Sequence, residues 1–196
     1  MGKIYTFNDK IITINNKWCE EYVEPPAPPP SFDEVTIGTQ TWMSKNLAID
    51  DGQGGIESVN VGVVNGVDMG TMYFYTWTAA TRIANNITGW HLPSFNELLA
   101  LQTAIGGEEN GNKLKSTAGW SYNGNGTDDY GFGAYPVGRI NISGVYGLAG
   151  EQVNYWLSDI DNSAARQFYF ETSTYVWTDY TNISTAKYCV RLIKDT

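Results

Sequence analysis

Apolar and polar positions divide the chain into a short leading piece and a long body. In residues 3–14, "KIYTF" and "KIITI" alternate side chains with the two-residue period of a strand. Asn8-Asp9 between them and Asn15-Asn16 after them carry turn chemistry, so a β-hairpin followed by a second turn is expected. A lone hairpin is barely stable in water, and this one is expected to pack on a partner or on copies of itself. "EPPAPPPS", Glu24 to Ser31, follows, and its five prolines impose extended backbone and remove amide donors. Three regions result: a hairpin arm over 1–24, a stiff spacer over 25–31 and a body over 32–196.

The body has short alternating runs cut by glycine-containing turns, the texture of a loop-rich sheet protein, and two helical patterns interrupt it. In "YTWTAATRIANN", Trp77, Ala80, Ile83 and Ala84 recur on one helical face. After Pro93, Ser94 and Glu97 form a capping-box pair, Leu98, Leu99, Leu101 and Ile105 give an apolar stripe, and Gly106 supplies a left-handed stop. His91, the single histidine, precedes that box by three residues. It has no Gly-x-Ser-x-Gly motif, second histidine or thiolate cluster near it, so it is read as structural, tying the loop to a backbone carbonyl.

Charge and cysteine content narrow the function classes. Twenty-one acidic against twelve basic residues leave a net charge of -9, which disfavours a nucleic-acid surface and an anionic membrane. No apolar run approaches the roughly 18–20 residues of a spanning helix, so no membrane insertion is expected. Met1 to Trp18 lacks the order of a secretory signal, and synthesis in the cytosol is the expectation. Cys19 and Cys189 stand far apart with no metal-ligand spacing, so neither a metal nor a disulfide framework is read, and Cys189 is expected as a small buried hydrophobe. Trp42, Trp90 and Trp120 are assigned to the core.

Six stretches then occur in order: "VTIGTQTWMSKNL" (Val35 to Leu47), "GWHLPSFNELLAL" (Gly89 to Leu101), "GNKLKSTAGW" (Gly111 to Trp120), "NGTDDYGFGAYPVG" (Asn125 to Gly138), "YWLS" (Tyr155 to Ser158) and "CVRLIKD" (Cys189 to Asp195). Together they resemble the Fibrobacter succinogenes major paralogous domain family. The resemblance implies an α+β, C-type lectin-like domain with two helices and a small twisted antiparallel sheet, in a family found on bacterial surfaces, in phages and among retroelement-diversified proteins. Lectin-fold calcium sites use Gln-Pro-Asp or Glu-Pro-Asn with Trp-Asn-Asp; this chain has neither, and Trp177-Thr178-Asp179 only approaches the latter. No cofactor is therefore expected, and "DDGQGG" (Asp50 to Gly55) reads as a solvated turn. Formylglycine-generating relatives of the wider fold need reactive cysteines, a context neither cysteine has here.

From Asn154 to Tyr188, Tyr and Trp alternate with Asn, Ser, Thr and Asp, the mixture used by recognition surfaces. Alternation keeps Trp156, Phe168 and Phe170 in the core. It leaves Tyr155, Asp159, Asp161, Asn162, Tyr169, Tyr175, Trp177, Asp179, Tyr180 and Asn182 as candidate ligand-binding residues. The expected function is a non-enzymatic phage virion protein, a head fibre or capsid decoration, assembled in host cytoplasm and exposed on the virion surface. Residues 1–24 would seat on a capsid or tail protein, and the head would meet a host-surface or mucosal glycan or protein. Homo-oligomerisation, a trimer being favoured, would add avidity. A bacterial surface adhesin and a glycan-acting enzyme are the alternatives; the adjacent Asp128 and Asp129 fit a turn better than an acid–base pair.

Overall fold

A computed structural model describes residues 4–7, 10–15, 18–21, 30–183 and 185–195, with backbone alone for residues 4–21 and for Asn182. The chain divides into two compact units, Met1–Pro30 and Ser31–Thr196. In the first, β1 (Ile4–Phe7), β2 (Lys10–Asn15) and β3 (Trp18–Glu21) form an antiparallel sheet in the order β1-β2-β3. The expected hairpin is thus a three-stranded meander. "WCEE" lacks the apolar alternation that marked the first two strands, yet it pairs along β2 from Asn15↔Trp18 to Ile12↔Glu21. The turn positions Asn8, Asp9 and Asn16 and most of the proline spacer lie outside the described residues.

The second unit combines few helices with many strands. It opens with β4 (Glu34–Ile37) and β5 (Gln40–Met43), then β6 (Ile56–Asn60), β7 (Val63–Val64), β8 (Val67–Asp68) and β9 (Thr71–Tyr75). Between β7 and β8, Asn65 and Gly66 take φ of 47° and 82°, the paired positive angles of a type I′ turn. Helix α1 (Trp77–Ala84) starts where the Thr76 side chain accepts from the Ala79 amide, and it buries Ala79, Ala80, Ile83 and Ala84.

A short strand β10 (Trp90–His91) leads into α2 (Phe95–Ile105). Ser94 Oγ accepts from Glu97 N, Glu97 Oε2 accepts from Ser94 N at 2.7 Å, and Gly106 ends the helix at φ 96°. Leu98, Leu101 and Ile105 are buried, but Leu99 is 42% exposed: it points away from the seam that its neighbours fill, so the apolar stripe is narrower than expected. A 3-10 segment, Glu108–Lys113, precedes β11 (Val137–Ile140), β12 (Tyr146–Ala149), β13 (Val153–Asp161), β14 (Ala164–Phe170), β15 (Val176–Asn182) and β16 (Ile193–Lys194).

In place of one small sheet, two main sheets form, in the orders β10-β16-β5-β4 and β12-β11-β13-β14-β15, with β6-β9 and β7-β8 as separate pairs. The sheets are antiparallel except where β11 meets β13 in parallel at Gly138↔Val153. One core gathers Trp42, Phe132, Phe168 and Phe170 against Leu98 and Leu101 of α2. A second gathers α1 with Leu47, Tyr75, Trp156 and Tyr188. Trp42, Trp90 and Trp120 are all buried, as is Cys189, whose thiol burial pushes up to about 12.

Arg191 ties these layers together. Buried, it donates to Asn46 Oδ1 and to the carbonyls of Met43, Phe132 and Gly133 at 2.5–3.0 Å, with its guanidinium 4.7 Å from the Phe132 ring centre. Burial pulls its basicity down, and the carbonyl dipoles stand where a carboxylate would otherwise be needed.

Candidate functional site

Residues directly opposite in paired strands share a face, so the register of β13, β14 and β15 sorts their side chains. Val153↔Phe170, Tyr155↔Phe168 and Phe170↔Val176 put one set inward, on the first core. Asn154↔Tyr169↔Trp177 and Trp156↔Gln167↔Asp179 put the other set outward. One end of that outer face is closed by Trp156 packing on Tyr188, their rings 4.4 Å apart. The other end stays open as a polar groove of about 560 Å³ crossing all five strands.

The groove is lined mainly by polar side chains at alternate positions: Gln152 and Asn154 around the start of β13, Gln167 and Tyr169 on β14 with Glu171 just beyond it, and Asp179 and Thr181 on β15; Ile142 and Leu148 add apolar surface. Arg139 of β11 enters from the side and donates from Nε to Gln152 Oε1 at 2.9 Å. Asn154 Nδ2 donates to Gln167 Oε1 at 2.7 Å, while Asn154 Oδ1, buried, has no hydrogen-bond partner. Above this floor, Tyr175 and Trp177 stack with ring centres 5.0 Å apart, 39% and 40% exposed.

The loop carrying Tyr175 is held from below. Lys115, buried, donates from Nζ to the carbonyls of Glu171 at 2.7 Å and Ser173 at 2.8 Å, with its ammonium 4.2 Å from the centre of the Trp120 ring. Burial lowers its pKa to about 8. Ser173 Oγ in turn accepts from Trp177 Nε1 at 3.1 Å, so a core cation and an exposed indole are joined through one loop residue.

Tyr169, Trp177 and Asp179 therefore meet on the outer face, with Tyr175 at the rim. Tyr155 does not: it is fully buried, stacked 5.0 Å from Phe168, and its hydroxyl pairs with Asn46 at 3.2 Å, which corrects its assignment to the surface. Strand β13 is central and covered on both faces from Val153 to Leu157, so alternation there does not separate core from solvent.

Asp159 is likewise spent elsewhere, accepting from the Phe95 amide at the first turn of α2 at 2.5 Å. Asp161 and Asn162 are exposed at the β13–β14 turn, the opposite end of the ribbon from Tyr175. Tyr180 lies on the reverse face, accepting from Arg166, whose guanidinium also sits 3.7 Å from the Phe95 ring centre. The Asn182 side chain lies outside the described residues. Asn154, Gln167, Thr181 and Arg139 stand outside the sequence-based candidates; the local signal for the first three is a polar or tyrosine partner two residues away on the same strand, in Gln152/Asn154, Gln167/Tyr169 and Asp179/Thr181.

The sequence model of the Fibrobacter succinogenes major domain matches residues 35–194, from the second residue of β4 to the end of β16. The chain belongs to this family. No curated protein and no solved structure matches the chain. The groove and its rim thus lie wholly within the Fibrobacter succinogenes major domain.

Three other titratable groups of the domain, His91, Asp51 and Asp128, hold bonds within its own loops and strands. His91 does not reach for a backbone carbonyl; its Nδ1 meets Asp195 Oδ1 at 2.6 Å and its Nε2 meets Glu97 Oε1 at 2.7 Å. Burial opposes its charge, but the two carboxylates outweigh burial and raise its pKa. Asp51 in the expected solvated turn is gripped by Arg82 through Nε and one terminal nitrogen at 2.7 and 2.8 Å. Asp128, pushed up by burial, accepts from the Gly133 amide at 2.8 Å, so it fastens its own loop. Among the described residues no three His, Cys, Asp or Glu side chains gather as a metal site.

Proposed function

We propose that the protein is a non-enzymatic virion display protein, a head fibre or capsid decoration, whose Fibrobacter succinogenes major domain is a C-type lectin-like head for attachment to a host surface. The observation that carries this reading is the exposed Tyr175–Trp177 stack beside a polar groove on the C-terminal ribbon. Rigid aromatics of this kind give contact area at low entropic cost, and short polar neighbours supply adaptable hydrogen bonds. The non-enzymatic reading draws support from His91, both of whose ring nitrogens are engaged by carboxylates and so are poorly placed to shuttle a substrate proton. The separate N-terminal sheet, with β1 and β3 as its edge strands, supplies backbone edges suited to pairing with a capsid or tail protein or with further copies.

The test uses particles of the source phage carrying three forms of the protein. Full-length protein co-purifies with particles and supports adsorption to host cells. A form lacking residues 1–24 folds and stays in solution without joining particles. Trp177→Ala is incorporated normally but lowers adsorption about tenfold, the loss of one interface anchor. Particles free of the full-length polypeptide, or incorporation without residues 1–24, would overturn the proposal.

A further inference from the structure

The geometry points to a neutral sugar, bound through its hydroxyl groups, as the ligand of the polar groove on the outer sheet face. This assignment rests on reading the domain as a binding head and names the chemistry of its seat. A volume of about 560 Å³ suits one or two sugar rings and falls inside the range of small-molecule sites.

The decisive group is Asn154. The residue is 2% exposed and lines the groove, yet its Oδ1 has no hydrogen-bond partner while its Nδ2 is fixed on Gln167. A buried amide oxygen left unmade is expensive; Oδ1 is closed to solvent as it stands, so a donor from the groove reaches it when the Asn154 side chain turns toward the opening. Exchanging the amide's two ends would leave a donor unmatched instead. A hydroxyl satisfies either arrangement, because it both donates and accepts.

The surroundings select among ligands. Glu171 and Asp179 place two carboxylates on the wall against the single guanidinium of Arg139, and that excess of negative charge repels phosphate, sulfate and acidic sugars. Carboxylates accept hydrogen bonds from adjacent sugar hydroxyls, and Thr181 adds a hydroxyl that can do either. Tyr169, paired in register with Asn154 and Trp177, offers an aromatic surface to the C–H face of the ring. An extended peptide is a poorer fit on the groove floor, where β11, β13 and β14 are paired on both sides; unpaired backbone is offered only along the bordering edge strands β12 and β15.

The test is saturation-transfer NMR on the full chain with methyl glycosides of mannose, galactose, glucose and N-acetylglucosamine, beside the methyl glycoside of sialic acid and inorganic phosphate. At least one neutral glycoside is expected to bind saturably and to shift the side-chain amide signals of Asn154 and Gln167. Asn154→Leu should weaken binding about tenfold and Thr181→Val several-fold, whereas Tyr180→Phe, on the reverse face, should leave it unchanged. Should Asn154→Leu not fold, Thr181→Val and the amide shifts decide. Silence from every neutral glycoside, preference for the acidic sugar or phosphate, or full binding by both groove variants overturns the assignment. Host adsorption that depends on Trp177 with a silent glycoside panel sinks the sugar and leaves the display reading standing. Glycoside binding in the groove with no host adsorption does the reverse.

Discussion

Replacing Lys115 by Met tests whether the rim loop hangs on a buried cation. Methionine keeps the length and removes the ammonium, which leaves the carbonyls of Glu171 and Ser173 without their donor. Those two carbonyls cost on the order of 1–3 kcal/mol each if water does not replace the lysine. In the other direction, the fall of the lysine from 10.5 to about 8 means that holding the charge in place opposes folding by about 3 kcal/mol at neutral pH. At pH 7.5 the two effects nearly cancel, and the variant should be close to wild type in stability.

Raising the pH separates them. The folded-state pKa lies below the unfolded value, so between about 8 and 10.5 the unfolded chain binds more protons and wild-type stability rises with pH. From pH 7.5 to 9.5 this linkage adds about 2 kcal/mol to wild type and nothing to Lys115→Met. Tyrosine ionisation acts on both proteins and drops out of the difference. Urea unfolding of the two proteins across that range, followed by Trp fluorescence, measures it. A stability difference that stays constant with pH would refute the account of Lys115 as a desolvated cation serving two carbonyls.

Three further outcomes follow from the geometry. His91→Gln should destabilise most near pH 5.5: a raised His pKa contributes fully below the unfolded value of about 6.5 and is lost as pH climbs through the folded value. With the ring 40% exposed, solvent screening keeps the effect at about 1 kcal/mol or less, readable in melts at pH 5.5 and 8. Gly126→Ala should lower stability by about 3 kcal/mol or more, because a Cβ there would stand 2.3 Å from the carbonyl oxygens of Asn112 and Lys115; a melting temperature within a few degrees of wild type contradicts the packing. Asp159→Ala should cost about 1 kcal/mol by removing the carboxylate at the start of α2, with glycoside binding unchanged.

What the sequence discloses depends on how local the cause is. The Ser94-Glu97-Gly106 signature is legible because every partner lies within one helix. The fate of Tyr155 is not, since it turns on β13 being a middle strand with packing on both faces, which only the arrangement of its neighbours decides. His91 shows both cases at once: Glu97 is six residues away, whereas Asp195 is 104 residues away and arrives through the pairing of β10 with β16. The groove escapes for a similar reason. Each of Gln152, Asn154, Gln167 and Thr181 is unremarkable alone, and their meaning comes from the register that sets them side by side.

Strand β16, the latest of the described strands, lies inside its sheet, with β10 on one side and β5 on the other. The neighbouring Arg191 completes the bonds to Met43, Phe132 and Gly133. Within that sheet β10 and β5 meet only through β16, so a substitution that unseats Ile193 parts the strand of His91 from the strand of Trp42.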